Sequence, residues 1–324
     1  MNEITKKKED TFISFPLSAI LPDIPLPGDI FLFISGHFVR YRSEGSVLEK
    51  DKLQLFTYKR IQFVFIESSS LPAFNNWQQQ LEKEEEDLLI KAVGLENKEL
   101  VKDHLDIKKH YIDFIMNEPT DTEQLKHLLT KTRGFVQKVG HRQFIDKTVA
   151  KLISHGQTIA DHAMNVANLS TYLAISLGYG QQLILETIYV GGLVHDYGKM
   201  YIKLNKKVEP TIEELAKLLK RHPIIGKNKL FAEGQFSDEI LKIVMQHHEK
   251  YDGKGYPKGL KGHQLHDLTK IVSVANFFDN EMSKLNDTSD ENFATVMRKL
   301  TNQSGKSFDP SFAKRCINAL QLVF

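Results

Sequence analysis

The chain has 324 residues, 41% of them hydrophobic, which is long enough for two domains and apolar enough for ordinary packed cores. Lys and Arg number 43 against 41 Asp and Glu, a net charge of +2 that points to neither a nucleic-acid partner nor a membrane surface. The single cysteine, Cys316, excludes an intramolecular disulfide and cysteine-based zinc sites, so any metal must be held by His, Asp and Glu.

The opening segment, Met1 to Asp10, is charged and is not followed by a signal-type apolar run. No stretch approaches the roughly 20 apolar residues of a membrane span, and a cytoplasmic location is the expectation. From Phe15 to Ser70 the character is that of short strands: Ile30–Ile34, His37–Tyr41 and Ile61–Ile66, rich in β-branched and aromatic residues. Turn signals at Pro27-Gly28, Gly36 and Glu44-Gly45 separate them, and Leu48 to Arg60 reads as a helix between strands. Residues 1–73 are therefore expected to form a small α/β accessory domain. It shows no catalytic cluster, and a regulatory, partner-binding or purely structural role fits it equally.

Residues 74–133 read as a helical connector. Its run Glu82-Lys83-Glu84-Glu85-Glu86-Asp87 is a solvated helix face, whereas Leu88, Leu89, Ala92 and Val93 are placed to pack on the next domain or a second subunit. Asn117-Glu118-Pro119-Thr120-Asp121 punctuates the region. The chain has no repeat of solenoid length and no low-complexity tract.

Residues 134–324 read as helix after helix, so the fold class is mainly α, a helical bundle at the C-terminal side preceded by the strand-containing domain. His162 lies in a helix expected from Thr158 to Leu177, with Val166, Leu169 and Leu173 at inward-facing spacing. The next helix, Leu183 to Val194, ends in Gly191-Gly192-Leu193-Val194-His195-Asp196-Tyr197-Gly198-Lys199. There Ile184, Ile188, Gly191 and His195 share one stripe, and Leu185, Tyr189, Gly192 and Asp196 the neighbouring one, so both polar residues are carried inward. Lys199 projects toward the same place. His222 precedes Pro223-Ile224-Ile225-Gly226, where the proline suits the first turn of a new helix. His247 and His248 close a helix from Ser237 to Gln246, before the glycine-rich stretch Asp252-Gly253-Lys254-Gly255-Tyr256-Pro257.

Singly, each of these histidines reads as a buried, hydrogen-bonded core residue. Together, five histidines and Asp196 form a nitrogen-rich, sulfur-free donor set, enough for two metal ions with Asp196 between them. Such a mixture suits iron, manganese or zinc better than magnesium or calcium, which prefer oxygen shells.

The blocks Leu193-Val194-His195-Asp196-Tyr197-Gly198-Lys199, His247-His248-Glu249, Asp252 to Pro257 and Phe308-Asp309-Pro310 give the chain its likeness. From about Phe135 onward it resembles the HD-GYP subgroup of the HD-domain metal-dependent phosphohydrolases, and the first domain is more weakly similar to the strand-rich region that precedes the domain in many of them. The resemblance implies a helical bundle with a di- or trinuclear metal centre, often iron or manganese, that hydrolyses cyclic di-GMP. It implies His162, His195, Asp196, His222, His247 and His248 as ligands and Lys199 at the phosphate. It also gives the Gly-Tyr-Pro loop, with Tyr256, a role in shaping the substrate pocket and in contacting partner proteins.

Three departures bear on this. Asn276, in Val274-Ala275-Asn276-Phe277-Phe278-Asp279, stands where the family has an aspartate ligand, and its neutral carbonyl oxygen is the weaker donor. Thr158 stands where members with three metals carry a glutamate, so two divalent ions at most are expected, iron foremost. The stretch Asn280 to Asp287 lacks the family's substrate-binding arginine and tyrosine; Lys284 supplies part of the charge without the planar fork.

A two-metal site of this kind would activate a water as hydroxide near neutral pH and offset phosphate charge, with Lys199 adding a positive contact. No sequence feature identifies the acid for the leaving oxygen; a metal-bound water and a nearby histidine are the candidates. Lys203, Lys206, Lys207, Lys220 and Arg221 either line an entrance or are solvated helix residues. Three readings follow: a cyclic di-GMP phosphodiesterase, a catalytically impaired module that binds nucleotide or a protein partner, and a hydrolase of another nucleotide or phosphate ester.

Overall fold

Four short segments rich in β-branched and aromatic residues pair as one antiparallel sheet in the N-terminal part of the chain. The structure, a computed structural model, describes residues 11–116, 122–140, 147–153, 158–204, 210–285 and 289–324. The expected break at Asn117–Asp121 and two of the five basic entrance residues, Lys206 and Lys207, lie outside the described residues, as does the charged start.

The strands are β1 (Phe12–Pro16), β2 (Ile30–Ile34), β3 (His37–Arg42) and β4 (Phe63–Glu67), in the spatial order β1-β4-β2-β3. Three match the expected runs. β1 is additional: its five residues, FISFP, are too short to show an alternation alone, and pairing with β4, with Phe15 opposite Val64, makes them a strand. Phe15, Ile30, Val64 and Ile66 point into a core shared with Leu53 and Phe56 of helix α1 (Lys50–Tyr58). The other face carries a cluster of rings, Phe12, Phe31, Phe33, Phe38 and Phe65, with Phe12 stacked on Phe38 and the other pairs edge-on or tilted.

Two compact units divide the chain, Met1–Leu88 with Gly156–Thr158, and the remainder. The division falls within the long helix α2 (Leu71–Val93). Among the described residues the named elements of the second unit are helices: α3 (Lys98–Met116), α4 (Thr122–Gly140), α5 (Lys147–Lys151), α6 (Ile159–Ser176), α7 (Gln182–Val194), α8 (Ile212–Leu219), α9 (His222–Glu233), α10 (Asp238–Gln246), α11 (Asp267–Met282), α12 (Asp290–Asn302) and α13 (Pro310–Leu320). The mainly α class with a small strand-containing N-terminal part is thus as the sequence indicated.

Helix α6 is the axis of this unit. It is buried along most of its length and packs against α7 and α11. A helix buried on nearly every side belongs in the interior of a bundle: Met164, Val166, Leu169, Leu173 and Ala174 are each fully buried there, beside the buried polar residues Asn165, Asn168 and Thr171. Its N-terminal turn is pinned by a buried ion pair, Asp161 to Lys108 of α3 at 2.6 Å. Local signals set the other ends: Ser237 caps α10 by accepting from the Ile240 amide, and Pro223 lies in the first turn of α9, as the sequence indicated.

Candidate metal centre

The family of side chains at the centre comes from helix ends rather than from one element. His162 sits in the first turn of α6, His195 and Asp196 directly follow α7, His222 opens α9, and His247 and His248 directly follow α10. Two glycines let these ends approach. A side chain on Gly192 would put its Cβ 2.8 Å from the Ala167 Cα of α6. On Gly198, in the 3₁₀ turn Tyr197–Tyr201, a Cβ would fall on the His222 carbonyl oxygen and the Gly226 amide. The apolar stripe of α7 therefore runs into a close backbone contact that delivers His195 and Asp196 between α6 and α9.

Two donor sets result, His162 with His195 and Asp196, and Asp196 with His222, His247 and His248, each with its donor atoms within 4.8 Å of one another. Asp196 belongs to both. Its Oδ2 lies 3.5 Å from His162 Nε2 and 3.4 Å from His195 Nε2, whereas its Oδ1 lies 3.1 Å from His222 Nε2 and 3.6 Å from His247 Nε2. The carboxylate thus turns one oxygen to each set.

The hydrogen bonds on the far side of the rings fix which nitrogen faces inward. His195 Nδ1 lies 2.6 Å from the Gly192 carbonyl, His222 Nδ1 2.6 Å from the Leu219 carbonyl and His247 Nδ1 2.9 Å from the Val244 carbonyl. A carbonyl only accepts, so Nδ1 carries the proton in each ring and Nε2 presents a lone pair. Yet His222 Nε2 and His247 Nε2 are 3.0 Å apart, and His162 Nε2 and His195 Nε2 are 3.2 Å apart. In the first pair, lone pairs set face to face at that distance, beside a buried carboxylate oxygen that has no hydrogen-bond donor among the described residues, Asp196 Oδ1, call for a cation between them. Imidazoles and one carboxylate are a donor set that fits iron, manganese or zinc.

Electrostatics follow the same lines. Burial pushes His195, His222 and His247 down, and His248 further with its neighbouring imidazoles, so all four rings are neutral and available as ligands near pH 7. Burial alone would raise Asp196, but Lys199 and the imidazoles outweigh it and hold the carboxylate ionised, well below its usual range. His162 is the exception. Burial opposes its charge, but hydrogen bonds to Asp196 and Asp279 prevail and lift it to about 9, so a proton fills its place until a metal displaces it.

Of the residues named from sequence, His162, His195, Asp196, His222, His247 and His248 are brought together. Lys199 pairs with Asp196 Oδ2. Tyr256 lies over the cluster's edge, its ring stacked on His248 with centroids 4.7 Å apart, and burial raises its phenol so that it stays protonated. Asn276 is buried on the face of α11 between Ser273, whose hydroxyl donates to the His247 carbonyl, and Asp279, but its side-chain oxygen accepts from Asn280 Nδ2 at 2.6 Å. Lys284 pairs instead with Glu281 at the surface, its side chain 61% exposed, and none of its described contacts reaches the cluster.

Four further residues support the site without a role that the sequence assigns them. Asp279 holds His162 Nδ1 at 2.6 Å; its spacing of three from Asn276 on one helix was the available signal. Glu249, 4% exposed, accepts from the backbone amides of Lys258 and Leu260 at 2.6 and 3.0 Å and so ties down the Gly-Tyr-Pro loop. In α3, Phe114 stacks on Tyr197 at 4.7 Å and the buried Tyr111 feels the Asp196 charge, contacts that no local pattern announces.

The HD domain family profile matches residues 141–312, more than half of the chain, and the chain belongs to the HD domain family. The cyclic di-GMP phosphodiesterase response regulator RpfG of Xanthomonas campestris pv. campestris is 31% identical over 158 residues, covering 48% of this chain and 40% of that protein. The 3′3′-cGAMP-specific phosphodiesterase 1 of Vibrio cholerae serotype O1 is 30% identical over 180 residues, covering 53% of this chain and 40% of its own length. The similarity therefore spans two fifths of these relatives. The HDG"Y"P protein Bd1817 from Bdellovibrio bacteriovorus shares the fold, with a TM-score of 0.59 over 96% of this chain and 99% of its own at 22% identity. Among the described residues no helix is long and apolar enough to cross a membrane.

Proposed function

We propose that the chain is a metal-dependent phosphodiesterase of the HD-GYP type that hydrolyses a cyclic dinucleotide, cyclic di-GMP first among the candidates. The observation that carries this reading is the Asp196 carboxylate with one oxygen facing each of two histidine sets and Lys199 beside it. His162, His195 and Asp196 would hold one divalent ion and Asp196, His222, His247 and His248 a second, iron before manganese or zinc. Ions so placed supply Lewis acidity toward a phosphodiester and lower the pKa of water.

The chain's own residues do the rest. Main-chain carbonyls hold the Nδ1 protons of His195, His222 and His247 and so aim Nε2 inward. The Lys199 ammonium is at hand for a non-bridging phosphate oxygen, where charge grows during attack. Tyr256, held flat on His248, offers a ring face against which a guanine can stack. Its protonated hydroxyl can only donate to an anion. Residues 1–73 serve as the accessory domain, regulatory or partner-binding, residues 74–133 as a helical connector and residues 134–324 as the catalytic domain.

A second reading, a module that binds nucleotide or a partner with little turnover, is favoured by one observation: Asn276 and Lys284 are both engaged elsewhere, with Asn280 and Glu281. One experiment separates them. Purified protein is assayed for metal and given cyclic di-GMP, and separately 3′3′-cGAMP, under anaerobic conditions with iron(II) or manganese(II), beside the His195→Ala/Asp196→Ala double variant. Linear product that disappears in the double variant supports the enzyme. Metal without such product from either nucleotide leaves the binding module, and no metal overturns both readings.

A further inference from the structure

We infer that the two halves of the centre differ in strength, and that Lys199 is the internal competitor that keeps the His162 half weaker and the last to fill. The inference rests on the metal-dependent reading above and concerns how this chain controls its own metal content.

Three observations carry it. The first is the number of donors: one half offers three imidazoles and a carboxylate oxygen, the other only two imidazoles and a carboxylate oxygen. The second is the state of the two Asp196 oxygens. Oδ1, facing His222 and His247, is buried with no hydrogen-bond donor among the described residues, so a cation there regains an interaction that burial has removed. Oδ2, facing His162 and His195, is already bonded to the Lys199 ammonium, and a divalent ion entering that half must displace a positive charge. The third lies on α11, where Asp279 is already engaged with His162 Nδ1 and Asn165 and Asn276 stands on the same face. Asn276 Oδ1 accepts from Asn280 Nδ2 at 2.6 Å and is neutral, so it offsets none of the charge.

Lys199 is suited to yield. Its side chain is 23% exposed whereas Asp196 is 5% exposed, so the ammonium can swing toward solvent or an incoming phosphate while the carboxylate stays. At limiting metal the chain then holds one ion in the four-residue half, with Lys199 still on Oδ2. Occupancy of the second half, and with it any chemistry that needs both ions, follows metal supply.

The test is a manganese(II) titration of the chelator-stripped full chain, read by equilibrium dialysis with metal analysis and by the paramagnetic resonance signal of free manganese. Two classes of site are expected, separated by about 10-fold or more. Lys199→Met, similar in length and uncharged, should tighten the weaker class by about 10-fold and the stronger class by less, narrowing the gap, whereas Lys199→Arg should preserve it. Thermal melting of each variant in chelator checks that the fold is retained. His222→Ala should instead weaken the stronger class, and if Lys199→Met proves unstable, this variant with Lys199→Arg still ranks the halves. Two equal sites in the wild-type chain, or a gap unchanged by Lys199→Met, would overturn the inference and leave the metal-dependent reading standing. No bound manganese at all would overturn both.

Discussion

His162 Nδ1 lies 2.6 Å from Asp279 Oδ2, and the other oxygen of Asp279 accepts from Asn165 Nδ2 at 2.9 Å. This carboxylate therefore orients His162 through a side chain, whereas His195, His222 and His247 are held by main-chain carbonyls. Asp279→Asn keeps the shape but loses the charge that favours an Nδ1 proton. The expected outcome is a loss of about 10- to 100-fold in metal affinity at the His162 half, with the other half unaffected, measured by equilibrium dialysis.

Gly198 stands where the 3₁₀ turn touches the start of α9. Gly198→Ala puts a methyl onto the His222 carbonyl and the Gly226 amide, two backbone groups that cannot turn aside. A cost of about 1–3 kcal/mol in urea unfolding is expected, together with weaker metal retention, because the same shift moves His222 away from Asp196. A neutral effect on both would show that the contact can relax.

Glu249 is a buried carboxylate whose two oxygens accept the Lys258 and Leu260 amides. Glu249→Ala leaves those amides without a partner and releases the loop that carries Tyr256, at a cost of about 1–3 kcal/mol. Limited trypsin digestion should then cut faster at Lys254 and Lys258, read by mass spectrometry, while cleavage at Lys50 and Lys91 proceeds as in the wild-type chain.

His104 is fully buried in α3, and burial, with help from the neighbouring Lys108 charge, lowers its pKa to about 3. The unfolded chain titrates this group near 6.5, so below that pH the unfolded state binds a proton that the folded state refuses. Stability is therefore complete above about pH 6.5 and declines as pH falls toward 3. Between pH 7 and pH 5 this one group removes about 2 kcal/mol. His104→Gln, unable to titrate, should flatten the pH dependence of the urea midpoint by that amount relative to the wild-type chain in the same buffers. Parallel curves would mean that the site admits the proton.

What the sequence determined by itself was everything that depends on near neighbours and on residue chemistry. The period of α6 and α7, the capping Ser237, Pro223 at the opening of α9 and the inward pointing of His195 and Asp196 are all set by residues within a turn or two. The donor set, histidine-rich and without sulfur, likewise follows from composition. Strand β1 was illegible because a five-residue segment becomes a strand only by pairing with β4, 55 residues away in sequence by the register of Phe12 with Glu67. The same reason hid Asp279, Glu249 and Tyr111, whose parts depend on which helix end each one meets.

Tertiary structure alone decided how the donors divide. Spacing along the chain places His162, His195, His222, His247 and His248 on helix ends, but carries no information on which oxygen of Asp196 each ring faces. That partition is set by the close approach of α7 to α6 at Gly192 and of the 3₁₀ turn to α9 at Gly198, contacts between backbones far apart in sequence. It also decided that Lys199 rests on Oδ2 while Oδ1 is left to the other histidines, because a side chain three residues along one turn can reach only the near oxygen of a buried carboxylate.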